Sequence, residues 1–145
     1  MNKLAKTFIN CFNTGGKVIA IGCGGSDAEA SHFAGELLCK IKKWRKPLPA
    51  ITINNPTIMT AIANDISFDL VYSRQLQALG KKEDILITFS TSGKSQVIIN
   101  AIEEAKRMEV TVVEAPRIGA NTQAIQTYQQ EWMHELALQI ENHYV

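Results

Sequence analysis

Two residues four apart, His32 and Glu36, are the first pair in this 145-residue sequence whose types and spacing suit chemistry. On a helix, positions i and i+4 share one face, one turn apart. An imidazole nitrogen and a carboxylate oxygen so placed can reach a common zinc at about 2.0–2.2 Å each. The same spacing also serves a solvated pair or a histidine satisfied in the core, the commoner outcomes for so short a motif. A second set of donors, Gln126 and His134, stands eight residues apart near the C-terminus. Their Cα atoms would differ by about 12 Å along a helix axis, so both reach one ion only by leaning toward each other. Spacing permits that convergence without requiring it.

Two loops carry a different chemistry. The apolar run Lys17 to Ile21 passes directly into Gly22-Cys23-Gly24-Gly25-Ser26, and the run Asp84 to Phe89 ends in Ser90-Thr91-Ser92-Gly93-Lys94-Ser95. Each is followed by a helical pattern. Glycines let the backbone approach a ligand closely, and Ser26 can cap the helix or bond that ligand. Loop N–H groups and a helix N-terminus together favour an anion. Asp27 stands where a dinucleotide fingerprint needs its last glycine, and Thr88 where a P-loop needs its first, so neither nucleotide motif is complete. Two such loops at the carboxyl ends of strands make a small phosphorylated ligand the economical reading. Asn64-Asp65, taken alone, reads as a turn.

The elements that must position these residues follow from hydrophobic pattern. Lys17 to Ile21, Asp84 to Phe89 and Val110 to Val113 are short apolar runs without alternation, which predicts strands covered on both faces; Ala50 to Ile53 is a weaker fourth. Helical patterns occupy Leu4 to Phe12, Asp27 to Ile41, Thr57 to Ala63, Phe68 to Leu79, Ser95 to Met108 and Asn121 to Asn142. Alternation of this kind predicts a three-layer α/β fold, a mostly parallel doubly wound sheet with helices on both faces. No linker or internal repeat divides the chain, so residues 1–145 read as a single domain. Only seven residues separate Val113 from Asn121, too few for a further crossover, which takes about a dozen. The last helical pattern carries an apolar stripe, Ile125, Trp132, Met133, Leu136 and Ile140, that could face the core or another subunit.

Composition excludes several functions. Fifteen basic and fourteen acidic side chains leave a net charge of +1, with no global field to recruit nucleic acid. The run Lys40 to Lys46 holds five basic residues around Trp44 and reads as a solvated helix end. No apolar run approaches the roughly twenty residues of a membrane helix, and Met1 to Phe8 does not read as a signal peptide. Three cysteines without a C-x-x-C pair fit a reducing compartment, so a cytoplasmic location is expected.

Residues 22–36 (GCGGSDAEASHFAGE), 63–69 (ANDISFD) and 90–95 (STSGKS) resemble the sugar isomerase (SIS) family, specifically its phosphoheptose isomerase branch. Residues 122–134 (TQAIQTYQQEWMH) are similar to that branch's T-x-x-I-Q-E-x-H-x-x-x-x-H signature. The resemblance implies zinc held by His32, Glu36, Gln126 and His134. It implies sugar contacts from Cys23, Gly24, Gly25, Asn64 and Asp65, and a phosphate cradle of Ser90, Thr91, Ser92 and Ser95. The implied reaction interconverts sedoheptulose 7-phosphate and D-glycero-D-manno-heptose 7-phosphate through a zinc-assisted enediol, for bacterial lipopolysaccharide heptose biosynthesis. Glu36 would be the base and His134 the partner acid, in a homotetramer with active sites at subunit interfaces.

Departures from the branch are specific. Cys23 replaces its usual asparagine, Thr127 and Gln129 replace the glutamate and first histidine of the signature, and Lys40 stands where arginine is common. Relatives also insert a further helix and strand before the Gln126 segment. A sister branch is a non-catalytic adaptor that binds the bacterial replication initiator, and a sugar-phosphate sensor is a third reading. His134 is what favours the enzyme over the adaptor.

Overall fold

The computed structural model describes residues 1–145. In chain order the elements are α1 (Lys3–Asn13), β1 (Val18–Ile21), α2 (Gly25–Leu38), β2 (Ala50–Thr52), α3 (Pro56–Asp65), a 3-10 turn (Phe68–Leu70), α4 (Ser73–Leu79), β3 (Ile85–Thr88), α5 (Gln96–Arg107), β4 (Thr111–Glu114) and α6 (Thr122–His143). The four strands are parallel in the order β2-β1-β3-β4, with Val18 opposite both Ala50 and Ile85, and Ile85 opposite Thr111. The expected doubly wound sheet is therefore present, including its weak strand at Ala50.

The period-two geometry of a strand divides the apolar runs between two cores. Val18, Ala20, Ile85 and Ile87 point to one face, where Phe8 of α1, Phe33 and Leu37 of α2, and Met133, Leu136 and Ile140 of α6 cover them. Ile19, Ile21 and Leu86 point to the other, against Val71, Tyr72 and Leu76 near α4 and Val97, Ile98, Ala101 and Ala105 of α5. Each fully buried Leu, Ile or Phe contributes about 1.5–3 kcal/mol. Most of the α6 apolar stripe is thus core of this chain. β2 and β4 are the edge strands, and on β4 Thr111 and Glu114 are exposed.

Local chemistry fixes the helix ends. Asn2, Asn55 and Asn121 cap α1, α3 and α6 by accepting from backbone N–H groups of the first turn, and Pro56 occupies the first turn of α3. Two helical expectations change. Phe68 to Leu79 is not one helix, because the chain breaks at Val71 and Tyr72, both buried, between the 3-10 turn and α4. α2 stops at Leu38 instead of Ile41, because the Arg45 guanidinium folds back and donates to the carbonyls of Glu36, Leu37 and Cys39. Lys40 to Lys46 is accordingly a loop, not a helix end, with Trp44 exposed beneath the Lys40 ammonium. Residues 115–121 join β4 to α6 with no intervening helix or strand.

Candidate functional site

Strand order explains why the two loops meet. From β1 the chain moves outward to β2, then returns to β3 on the other side of β1. The connections leaving β1 and β3 therefore diverge and open a crevice at their carboxyl ends, the place where such sheets bind ligands. The Phe89 N–H donates to Ile21 O at 2.9 Å, and Cys23 Sγ lies 3.9 Å from Ser95 Oγ. Cys23, Ser26, Phe89, Ser90, Thr91, Ser92, Ser95 and Ile98 line a cavity of about 100 Å³. Both loops expected to cradle an anion contribute to it.

Each loop is held by groups that local pattern does not flag. Gly22 is packed so closely that a Cβ there would lie 2.4 Å from the Ser26 backbone. The buried Tyr72 hydroxyl donates to Gly22 O, and burial followed by the nearby Asp27 raises that phenol above its ordinary range. Asp27 in turn accepts from the Asn54 amide at 3.0 and 3.1 Å. Ser26 does not cap α2: Gly24, at φ +58°, is the cap residue, and Ser26 lies inside the first turn, facing the cavity. In the serine loop, Ser90 Oγ accepts from the Gly93 N–H and Ser92 Oγ from the Lys94 N–H. Ser95 precedes α5 without using its hydroxyl as a cap.

The second centre lies between α2 and α6. His32 Nε2 is 2.9 Å from Glu36 Oε1, His134 Nε2 is 3.5 Å from His32 Nε2, and His134 Nε2 is 4.0 Å from the same Glu36 oxygen. These three donor atoms all lie within 4.8 Å of one another. Ligands about 2.0–2.2 Å from a tetrahedral zinc stand roughly 3.3–3.6 Å apart, so the set fits such an ion with small adjustments. Two imidazoles and a carboxylate are also the donor chemistry that zinc accepts.

Contacts along α6 follow one register. Gln126 lies against Gly25, Gln129 donates to Ser90 O, His134 meets His32 and Glu36, and Glu141 accepts from the N–H groups of Ile41, Lys42 and Lys43. α6 thus runs parallel to α2, pinned to it and its flanking loop at three points and to the serine loop at a fourth. The structure brings His32, Glu36 and His134 together but turns the Gln126 amide to Gly25, where an added Cβ would be only 2.7 Å from Nε2. Asn64 and Asp65 end α3, exposed and hydrogen-bonded to each other, outside the lining of the cavity.

Pattern reasoning passed over Glu29 and Glu141, and named Gln129 only as a departure from the signature. Glu29 keeps a buried Oε2 without a hydrogen-bond partner, and burial raises its acid against the lowering influence of His32 and His134. Its position one turn before His32 was the available signal. Gln129, fully buried, replaces a histidine and ties α6 to the serine loop.

Fold and site together define a doubly wound α/β protein with a small, largely hydroxyl-lined crevice and a three-donor polar cluster. The SIS domain family matches residues 1–114, and the chain belongs to that family. Phosphoheptose isomerases are among the proteins it is similar to. That of Cytophaga hutchinsonii is 43% identical over 111 residues, and that of Shewanella pealeana 46% identical over 112. Each match covers 77% of this chain, which spans only 58% and 57% of those curated relatives. The solved phosphoheptose isomerase of Francisella tularensis superposes over 96% of this chain and 83% of its own, with a TM-score of 0.91 and 31% identity. The family match ends at Glu114, so α6 and its histidine join the site by geometry.

Proposed function

We propose that this chain is a zinc-dependent phosphoheptose isomerase that interconverts sedoheptulose 7-phosphate and D-glycero-D-manno-heptose 7-phosphate. The observation that carries the proposal is the convergence of His32, Glu36 and His134, from segments some 100 residues apart, on one small volume. An incidental ion pair would not recruit a second imidazole from a distant helix. The hydroxyl-lined crevice and the similarity to phosphoheptose isomerases support the same reading.

Moving a carbonyl between adjacent carbons requires a base to take a carbon-bound proton while an acid protonates the carbonyl oxygen; the resulting enediol then loses the other hydroxyl's proton as the first proton returns to the neighbouring carbon. Glu36 is the proposed base. Both its histidine contacts use Oε1, leaving the second oxygen to face a sugar carbon. His134 is the proposed acid, giving its proton from the ring nitrogen that does not hold the metal. Zinc held by His32, Glu36 and His134 would supply Lewis acidity toward the sugar oxygens. Gln126 would join that set by turning its amide away from Gly25. Cys23, Gly24, Gly25 and Ser26 would line the sugar's path, and Ser90, Thr91, Ser92 and Ser95 would anchor the phosphate, so that remote binding fixes the reacting carbons.

Asn64 and Asp65 lie outside this crevice, so their expected sugar contacts call for a neighbouring copy, in keeping with the proposed homotetramer. A single SIS domain over residues 1–145, a cytoplasmic location and a role in bacterial heptose biosynthesis complete the proposal. The free cysteines Cys11, Cys23 and Cys39 accord with a reducing compartment. No helix is long and apolar enough to cross a membrane.

Metal analysis of protein purified without chelators, paired with a sedoheptulose 7-phosphate isomerase assay on the same sample, tests the proposal. About one zinc per chain and measurable turnover are expected, and Glu36→Gln should abolish turnover while leaving the fold intact. Metal-free, inert protein would return the chain to the adaptor or sensor readings.

A further inference from the structure

The cavity that would receive the phosphate is lined entirely by neutral side chains: Cys23, Ser26, Phe89, Ser90, Thr91, Ser92, Ser95 and Ile98. A phosphate monoester carries about −1.5 to −2 charges near neutral pH. The N-terminus of α5 offsets part of this, since about half a positive charge resides at a helix start. A fixed cation beside the loop would offset more.

We propose that Arg117 is that cation, an anion-binding residue supplied to the serine loop by the β4–α6 connection. The inference rests on reading the loop as a phosphate cradle. Arg117 lies beyond residues 1–114, so the family match does not assign it. Its guanidinium lies face-on against Gly93. A Cβ built on Gly93 would stand 2.8 Å from Cζ, 2.9 Å from Nε and 3.1 Å from Nη2, three nearly equal distances that put the planar group over the loop. Gly93 allows this twice over, by having no side chain and by adopting φ +67°.

The guanidinium is also available. Its ion pair is with Glu114 Oε1 at 3.5 Å, and both side chains are substantially exposed, at 39% and 46%. That contact occupies one edge of a group with five N–H donors in a planar fork, which suits bidentate recognition of phosphate oxygens. Ser90 and Ser92 accept from the loop's own N–H groups and so hold the turn in shape beneath it. Lys94, in the same loop, is an exposed ammonium on a flexible stem, without that fork.

Titration of inorganic phosphate into the metal-free chain of residues 1–145 by calorimetry tests the inference without relying on turnover. Arg117→Met is expected to weaken phosphate binding roughly 10- to 50-fold, because hydrogen bonds to charged groups are the strong ones. Arg117→Lys should recover part of the loss, and the thermal midpoint should barely move for an exposed side chain. In the assay, Arg117→Met should raise KM for the sugar phosphate with little change in kcat. The Ser92→Ala/Ser95→Ala double variant serves as the control for the cradle itself. If the serine variant loses phosphate and Arg117→Met does not, the role of Arg117 is overturned while the cradle stands. An equal loss from Lys94→Met would show a diffuse field and also overturn it. If wild type binds no phosphate, or the serine variant binds as wild type does, the cradle falls and the inference falls with it.

Discussion

Replacing Glu141 by glutamine isolates the contact that fixes how α6 sits on α2. The Glu141 carboxylate is 1% exposed, and its two oxygens accept from the N–H groups of Ile41 at 2.9 Å, Lys42 at 2.8 Å and Lys43 at 2.9 Å. Arg45 stands 3.7 Å away and caps the carbonyl end of α2, the helix that carries His32 and Glu36. A glutamine side chain has one carbonyl oxygen to offer three donors, and its NH₂ would face at least one N–H. Hydrogen bonds to a charged acceptor contribute about 1.5–3 kcal/mol each, and breaking a buried charged cluster costs about 3–5 kcal/mol. Glu141→Gln should therefore cost about 3–5 kcal/mol at neutral pH and lower Tm by roughly 10–16 °C in a domain of this size.

The pH dependence has a definite sign. Burial alone would raise the Glu141 acid, but the three backbone donors and Arg45 outweigh it and hold the group below its ordinary value. A carboxylate depressed in the folded state stabilises fully above its unfolded pKa, about 4.3, and loses that contribution as pH falls through the folded value. Urea unfolding of wild type and Glu141→Gln from neutral pH into acid should show a gap that narrows as the wild-type carboxylate protonates. A gap below 1 kcal/mol at neutral pH, or one that does not shrink in acid, would refute the clamp.

Two further outcomes follow from the packing. Gly22→Ala should destabilise by about 3 kcal/mol or more in urea unfolding, because its Cβ would meet Ser26 backbone at 2.4 Å, whereas Gly35→Ala, with open space around it in α2, should gain about 0.5–1 kcal/mol. Alkylation followed by peptide mass spectrometry should find the exposed Cys39 modified first, Cys23 later because burial raises its thiol, and Cys11 only on unfolding. Cys11 is buried, and burial reinforced by Asp84 pushes its thiol up to about 11, so almost no thiolate exists to react.

The sequence by itself determined the layered sheet, both crevice loops and the His32–Glu36 pair, because each is written in contiguous residues. Apolar runs such as VIAI and ILIT can be buried on two faces only as inner parallel strands, and four-residue spacing on a helix puts two side chains on one face. What composition, periodicity and spacing could not carry was distance between segments, which the family resemblance alone anticipated for His32 and Glu36 with Gln126 and His134. Nothing local to residues 122–143 states that α6 runs parallel to α2, so the meeting of His134 with Glu36, the diversion of Gln126 to Gly25, and the burial of Glu141 under a loop some 100 residues away were decided by tertiary packing. The stop of α2 at Leu38 has the same origin, since its cap is a guanidinium returning from Arg45. Side-chain periodicity is a property of one element; the site lies between elements, where only the packed cores fix the register.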